Sequence, residues 1–398
     1  MKLNAFHNLA RPAGHLNAPG FLKRRRIEAL VFLALFLLLF ALLGYRMGLA
    51  NMLNTIMHTA YELLTNTVFF IMAITVLTGA LAKLFIEFGV LRLMEFILHP
   101  LLRPLYNLPG VAALGSMLTF LSDNPAIITL AHDRNFRACF TERELVSLPN
   151  FATSFGMGLI VMTFMTGIGH FTGAIIGLLG AVAGGILATR LMQALCRKEI
   201  PEPSQQQLAQ QQQLADEAQI GFKSQGSYFQ RFLNAILDGG KSGVELGLAI
   251  VPGVLVISTM IMLLTFGPKD PAVGYQGLAG EGVPVISWLA GKIDFVFEGL
   301  YGFRHPELIA FPVTSLGSVG AALSLMPRFL HEGLITGNEV AVFTAIGMCW
   351  SGFLSTHTAM FDTLGYRHLI GKDMIAQTLG GLFAGVVAHF AWLAFSLL

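Results

Sequence analysis

The sequence predicts an all-α polytopic membrane protein made of two inverted-topology repeats. Each repeat holds a surface helix, a re-entrant broken-helix hairpin and transmembrane helices. Three observations lead there: composition, recurring apolar runs and the placement of basic residues. Of 398 residues, 54% are hydrophobic and only 12% are charged, against roughly 25% charged in soluble domains. Long apolar runs follow one another at Ile27–Ala50, Val68–Phe88, Leu145–Phe164, Ala174–Leu195, Val244–Phe266, Val340–Leu354 and Met374–Leu398. Such runs suit helices that cross a hydrocarbon core about 30 Å thick.

The elements follow in order. Residues 1–26 form a cytoplasmic N-terminal segment ending in Lys23-Arg24-Arg25-Arg26. The next run, 27–50, is too long for a typical signal core. Tyr45 and Arg46 stand near its end in place of a small-residue cleavage site, so it is read as a retained first transmembrane helix.

The first repeat spans 51–196. Val68–Phe88 returns to the cytoplasm. Leu91–Leu105 then lies on the surface, with Arg92, Glu95, His99 and Arg103 set among apolar side chains. Next comes the apolar run Val111–Ala131, interrupted by Phe120-Leu121-Ser122-Asp123-Asn124-Pro125. Proline has no amide hydrogen to donate, and Ser, Asp and Asn compete for backbone bonds, so the helix breaks here. A carboxylate and a broken helix are both costly at membrane depth. They persist where they line a cavity for a polar solute or ion. The spans Leu145–Phe164 and Ala174–Leu195 complete the repeat.

A polar cytoplasmic linker covers 197–231, with Pro201, Pro203 and the glutamine tract Gln205–Gln213. The second repeat spans 232–398. It runs through Val244–Phe266, the surface segment Val283–Leu300, a hairpin at Pro312–Leu330, then Val340–Leu354 and Met374–Leu398.

Basic residues decide between crossing and re-entry. If both hairpin segments crossed fully, Lys and Arg would divide almost evenly between the two sides. If both return to the side they entered from, only Arg46, Lys269, Lys292, Arg304 and Arg328 lie outside, and the other 20 of the 25 lie inside. Cytoplasmic loops carry the basic excess, which favours re-entry. The N-terminus and linker then face the cytoplasm and the C-terminus the periplasm of a bacterial inner membrane. The two halves show one order of elements in opposite orientations. A shift of 195 residues aligns Thr119 with Thr314, Leu121 with Leu316, and Thr141-x-x-Glu144 with Thr336-x-x-Glu339. Each Thr-x-x-Glu reads as a capping box opening a span, a structural use of both glutamates.

These features resemble the nucleoside-recognition, or Gate, domain family: two halves, each with a surface helix, a polar-tipped hairpin and a span opened by Thr-x-x-Glu. That family is related to concentrative nucleoside transporter cores and spore maturation proteins. The resemblance covers about 68–195 and 244–398. It implies a site at the hairpin tips and the unwound spans beside them. On this chain the implied substrate-binding residues are Ser122, Asp123 and Asn124, then Asn150, Thr153 and Ser154, then Thr314, Ser315 and Ser318. The chain lacks the Gln-Thr-Glu hairpin signature associated with nucleoside carriers. Related transporters also make a homo-oligomer an expectation.

The residues carry their own reading. Asp123 suits a proton, a sodium ion or a cationic substrate group, and is the expected ion-coupling residue. Asn150, Thr153 and Ser154 share one helix face, either to hydrogen-bond a neighbouring helix or to line a cavity. Ser355-Thr356-His357-Thr358 and Asp362 read as a helix end at the inner interface, and the His357–Asp362 spacing is poor for direct contact. Arg304 is expected to pair with Glu307 or Glu298. Cys139, Cys196 and Cys349 stand singly and read as small buried residues. There is no HExxH, no GxSxG and no His/Cys cluster, so no enzyme is expected and no cofactor, only Na+ or H+ as coupling ion. The expected partners are the lipid bilayer and a small-molecule solute, with no nucleic acid. The leading expectation is an inner-membrane secondary transporter of a small polar solute. An assembly or maturation factor and a lipid-handling protein are the alternatives.

Overall fold

The computed structural model describes residues 19–123, 134–201 and 226–397. Asn124, the rest of the first hairpin up to residue 133, and linker residues 202–225 lie outside them. Among the described residues helices dominate and no strand forms, apart from an isolated Asp270–Gly274 bridge. Seven helical stretches are long and apolar enough to cross a membrane, and they coincide with the seven apolar runs. The chain is a polytopic α-helical membrane protein.

Helix α1 (Pro19–Met47) stands apart, with most of its apolar side chains exposed. Gly48 separates it from α2 (Leu49–Glu87), a continuous helix with a π turn at Leu63–Val68. This helix begins well before Val68, where the apolar run starts. Its first turns are polar because they face a loop rather than lipid. Asn51 Nδ2 donates to the Tyr275 carbonyl at 2.9 Å, and the Gly280 amide donates to Thr59 Oγ1 at 2.7 Å. Helix α3 (Val90–Tyr106), an amphipathic helix, covers the segment expected to lie on the membrane surface. The short helices α4 (Ala112–Leu121) and α5 (Arg134–Ala138) come next among the described residues.

The next span is in two pieces, α6 (Glu142–Thr153) and α7 (Gly158–Gly167), and α8 (Phe171–Leu195) follows. The capping box that opens α6 is formed: the Thr141 amide donates to Glu144 Oε2 at 2.8 Å, and the Glu144 amide to Thr141 Oγ1 at 3.2 Å. Arg103 of α3 also bonds the Glu144 carboxylate, which ties surface helix to span.

In the second half, α9 (Tyr228–Thr265) carries a π turn at Gly253–Ser258. The expected single surface helix is instead two short ones, α10 (Val285–Ala290) and α11 (Asp294–Tyr301), with the chain turning at Gly291. A 3-10 turn at Pro306–Ile309 leads to α12 (Ala310–Ser315), α13 (Val319–Leu323) and α14 (Met326–His331). A second two-piece span follows, α15 (Gly337–Trp350) and α16 (Phe353–Leu364), with a formed capping box at Thr336 and Glu339. The last helix is α17 (Ile370–Ser396).

Two helix pairs organise these elements. Helices α2 and α9 run antiparallel, with Thr75 Oγ1 donating to the Gly243 carbonyl at 2.8 Å and the two π turns side by side. Helices α8 and α17 also run antiparallel, crossing at Gly184 and Gly380. A Cβ on Gly184 would lie 2.6 Å from the Gly380 carbonyl, and one on Gly380 would lie 2.8 Å from the Gly184 carbonyl. Small residues let two backbones approach this closely, which is how helices pack where lipid offers no hydrophobic gain. The surface helices dock on this second pair in matching ways. Each ends in a left-handed residue, Asn107 at φ 54° and Gly302 at φ 73°. Tyr106 donates its hydroxyl to the Val182 carbonyl at 3.2 Å, and Tyr301 donates to the Leu382 carbonyl at 3.3 Å. Burial raises both phenol pKa values, that of Tyr301 to about 12.

Candidate functional site

Both two-piece spans break where a short neighbouring helix docks, α4 at the first and α12 at the second. The first break covers Ser154–Met157, and Met157 is buried with φ 51°. A non-glycine residue in the left-handed region costs on the order of 1–3 kcal/mol, and such strain clusters at functional sites. Gly158, which opens α7, lies against the ring of Phe120 at the end of α4. The second break falls at Ser351–Gly352, where Gly352 has φ 65°. Its amide donates to the Ser315 carbonyl at 3.2 Å, and an added Cβ would meet the Gly317 carbonyl at 3.1 Å. Glycine serves here both for the backbone angle and for the close approach.

The C-terminal end of α4 is polar. Helix α4 ends at Leu121. Ser122 is exposed and donates to the Leu118 carbonyl at 2.6 Å. Asp123 follows, partly exposed. Beside this tip is a cavity of about 270 Å³, lined by Leu118, Leu121 and Ser122 of the hairpin, Ile160 of α7, and Thr75, Thr78, Lys83 and Ser242 of the α2–α9 pair. The second tip is tied down. Thr314 donates to the Ala310 carbonyl at 2.7 Å and Ser315 to the Phe311 carbonyl at 2.9 Å. Ser318 accepts from the Ala321 amide at 3.3 Å, capping α13. All three hydroxyls therefore serve local backbone.

Asn150, Thr153 and Ser154 are fully buried and line neither this cavity nor the larger one described next. They belong instead to a polar network joining α6, α15, α16 and α17. Thr153 Oγ1 lies 2.8 Å from His357 Nε2, and His357 Nδ1 lies 2.8 Å from Asp373 Oδ2. Asn150 Nδ2 donates to Gln377 Oε1 at 3.1 Å, and Gln377 Nε2 to the Cys349 carbonyl at 2.6 Å. Ser154 donates to the Asn150 carbonyl at 2.8 Å. His357, Asp373 and Gln377 are likewise 0% exposed. The expectation that His357 ends a helix at the interface is therefore corrected. His357 sits inside the bundle with Asp373, while Asp362 pairs with Arg367 in an exposed position. The signal was available: Asp373 and Gln377 are i, i+4 on one helix face, and an ionisable group in an apolar span marks function by default.

A second, larger cavity of about 780 Å³ opens beyond the second hairpin. Glu62, Asn66 and Thr67 from the α2 π-turn region line it, with Lys269, His305, Glu307, Arg328, His331 and Glu332. Arg328 lies over the Phe266 ring, 3.5 Å from its centroid, and pairs with Glu332 at 2.8 Å. Arg304 forms no ion pair with Glu298 or Glu307 among the described residues, and instead lines a small pocket with Asp294 and His305. Neither the larger nor the smaller cavity is bounded by both tips. The three cysteines are buried, and among the described residues no His, Cys, Asp and Glu group is arranged to hold a metal.

With this geometry in hand, the fold is similar to solved structures of CNTnw, a concentrative nucleoside transporter. Against a CNTnw double variant in an outward-facing state the TM-score is 0.55 at 13% identity, covering 94% of this chain and 88% of that one. Against CNTnw in an inward-facing substrate-bound state it is 0.52 at 12% identity, covering 95% and 87%. At such identities the likeness speaks for the fold alone. No family model and no curated protein matches the chain.

Proposed function

We propose that this chain is a secondary transporter of a small polar solute, nucleoside-like or other, driven by a coupled ion. One observation carries the reading. A polar, broken hairpin tip opens onto a solute-sized cavity between a strained, interrupted span and the α2–α9 pair. Broken helices at membrane depth free amides and carbonyls, which persist where they serve a solute or ion. The fold likeness to transporter structures in outward- and inward-facing states supports it further.

In this reading residues 51–196 and 232–398 are inverted repeats of Gate-domain type, and α4 and α12–α13 are arms of re-entrant hairpins. The protein resides in a bacterial inner membrane with its N-terminus and linker cytoplasmic and its C-terminus periplasmic. Ser122, Asp123 and Asn124 contact the solute, with Asp123 holding a cationic group or the coupling ion. Thr314, Ser315 and Ser318 position the opposing tip. Alternating access comes from the α8–α17 bundle with its hairpins moving against α2 and α9, within a homo-oligomer.

The test is thermal unfolding of purified protein against nucleosides, nucleobases, amino acids and polyamines, with and without sodium and at two pH values. A ligand that binds only the folded state raises the melting temperature. The expected result is a shift that depends on sodium or pH in the wild type and disappears in Asp123→Asn. No shift from any solute, with the variant equally stable, would favour an assembly or lipid-handling role.

A further inference from the structure

The buried His357–Asp373 pair has no part in the solute contacts described above. Its surroundings are specific. Both side chains are 0% exposed, and the imidazole spans two partners, Asp373 on α17 and Thr153 on α6. Thr153 is the last residue before the first break, and His357 lies in the first turns after the second. One hydrogen-bonded chain thus links the two interrupted spans to the last helix.

We propose that His357 and Asp373 form a proton-binding site whose occupancy holds the two broken spans together. With one proton beyond the neutral imidazole and carboxylate anion, the pair is neutral overall, as imidazolium–carboxylate or as imidazole–carboxylic acid. Without that proton it carries one negative charge. An uncompensated charge in a dry membrane interior is expensive, whereas a paired one is tolerated. The closed, buried arrangement therefore favours the proton-bound pair. Release requires that one break move and admit water.

The partners fit both states. The Thr153 hydroxyl accepts from a protonated Nε2 and donates to a bare one, so neither state leaves a ring nitrogen unsatisfied. Thr153 is a positioning residue here. Charges on the neighbouring elements point elsewhere. Lys372 bonds the Leu195 carbonyl and Glu199, Arg143 bonds the Ile200 carbonyl, and Glu144 bonds Arg103. On its own helix, Phe353 meets His357 edge-on, and Asp362 pairs with Arg367. Asp373 is thus the charged partner of this imidazole among the described residues. The site is separate from Asp123. It rests on the transport reading only for its role as the coupling-ion site.

The test has two arms, neither of which needs the solute. The first is nitrogen NMR of histidine-labelled protein in lipid nanodiscs, with His357 assigned among the 11 histidines by its loss in His357→Gln. The expected result is a His357 resonance that changes protonation state as the pH is varied. Its midpoint should move in Thr153→Val and return in Thr153→Ser, a pair of variants that also serves if His357→Gln does not fold. The second arm is thiol labelling of Ser122→Cys, where the three native cysteines are buried. Taken relative to a free thiol at the same pH, which removes the intrinsic thiolate dependence, one coupled proton changes the labelling rate by up to about tenfold per pH unit, and Asp373→Asn should flatten that dependence. A His357 that keeps one protonation state throughout would overturn the proposal. So would a titrating His357 with a relative labelling rate that does not change with pH. Either failure leaves the solute screen, and the transport reading it tests, untouched.

Discussion

The two halves of the chain each hold a two-piece span, and the surroundings of the two breaks differ. In the first, α4 ends at exposed Ser122 and partly exposed Asp123 beside a cavity, and the facing span breaks through a strained Met157. In the second, the tip hydroxyls are spent on local backbone, and the facing span breaks at a glycine whose amide bonds the hairpin itself. The difference is one of exposure: polar side chains at the end of α4 reach a cavity, whereas those of α12 and α13 are held by their own backbone. Between them lies the buried network that joins Thr153 and Asn150 of the first half to His357, Asp373 and Gln377 of the second.

The largest effect should come from breaking that junction. Asp373→Ala strands His357 without its carboxylate in a fully buried site. Removing one partner of such a pair typically costs about 3–5 kcal/mol. A large fall in melting temperature is expected, and an unchanged one would mean the halves are not joined here. The second break comes next. Gly352→Ala puts a Cβ in a left-handed position and against the Gly317 carbonyl. That should cost about 1–3 kcal/mol in the same assay. Gly184→Val at the α8–α17 crossing forces two backbones apart and should cost at least about 1–3 kcal/mol.

How much of this was legible in the sequence follows from what each residue faces. The spans were legible because lipid-facing helices must be apolar throughout. The end of α4 at Leu121 was legible because Pro125 and three polar residues interrupt such a run. The capping boxes were legible because Thr-x-x-Glu satisfies amides locally, without help from the fold. The early start of α2 was hidden, since Asn51 and Thr59 bond a loop more than two hundred residues away in sequence. The partner of His357 was hidden for the same reason. Nearness in sequence pointed to Asp362, whereas the packing of α16 on α17 supplies Asp373. The roles of Asn150 and Thr153 turned on the same packing, because one helix face serves a neighbour or a cavity equally well.

Smaller effects sharpen the contrast between the halves. Ser122→Ala should leave stability within about 0.5 kcal/mol, as exposed positions do, and both it and Asp123→Asn should remove the ligand-induced shift. The smallest effect concerns the start of the linker. Lys372 hydrogen-bonds Glu199 at 2.6 Å and holds its carboxyl below the usual 4.5. A carboxyl with a depressed folded-state pKa contributes stability above its unfolded value, and that contribution is lost as pH falls. Unfolding followed from neutral to acid pH should therefore show a slight loss that is absent in Glu199→Gln. An identical acid limb in both would mean the contact adds nothing.

Uptake into proteoliposomes tests the transport reading most directly. Purified wild type and Asp123→Asn would be given labelled nucleosides, nucleobases, amino acids and polyamines under an imposed sodium or proton gradient. The predicted result is gradient-dependent accumulation of at least one solute by the wild type, lost in a variant that melts at the same temperature. Folded wild-type protein that accumulates no solute above protein-free vesicles, under either gradient, would contradict it.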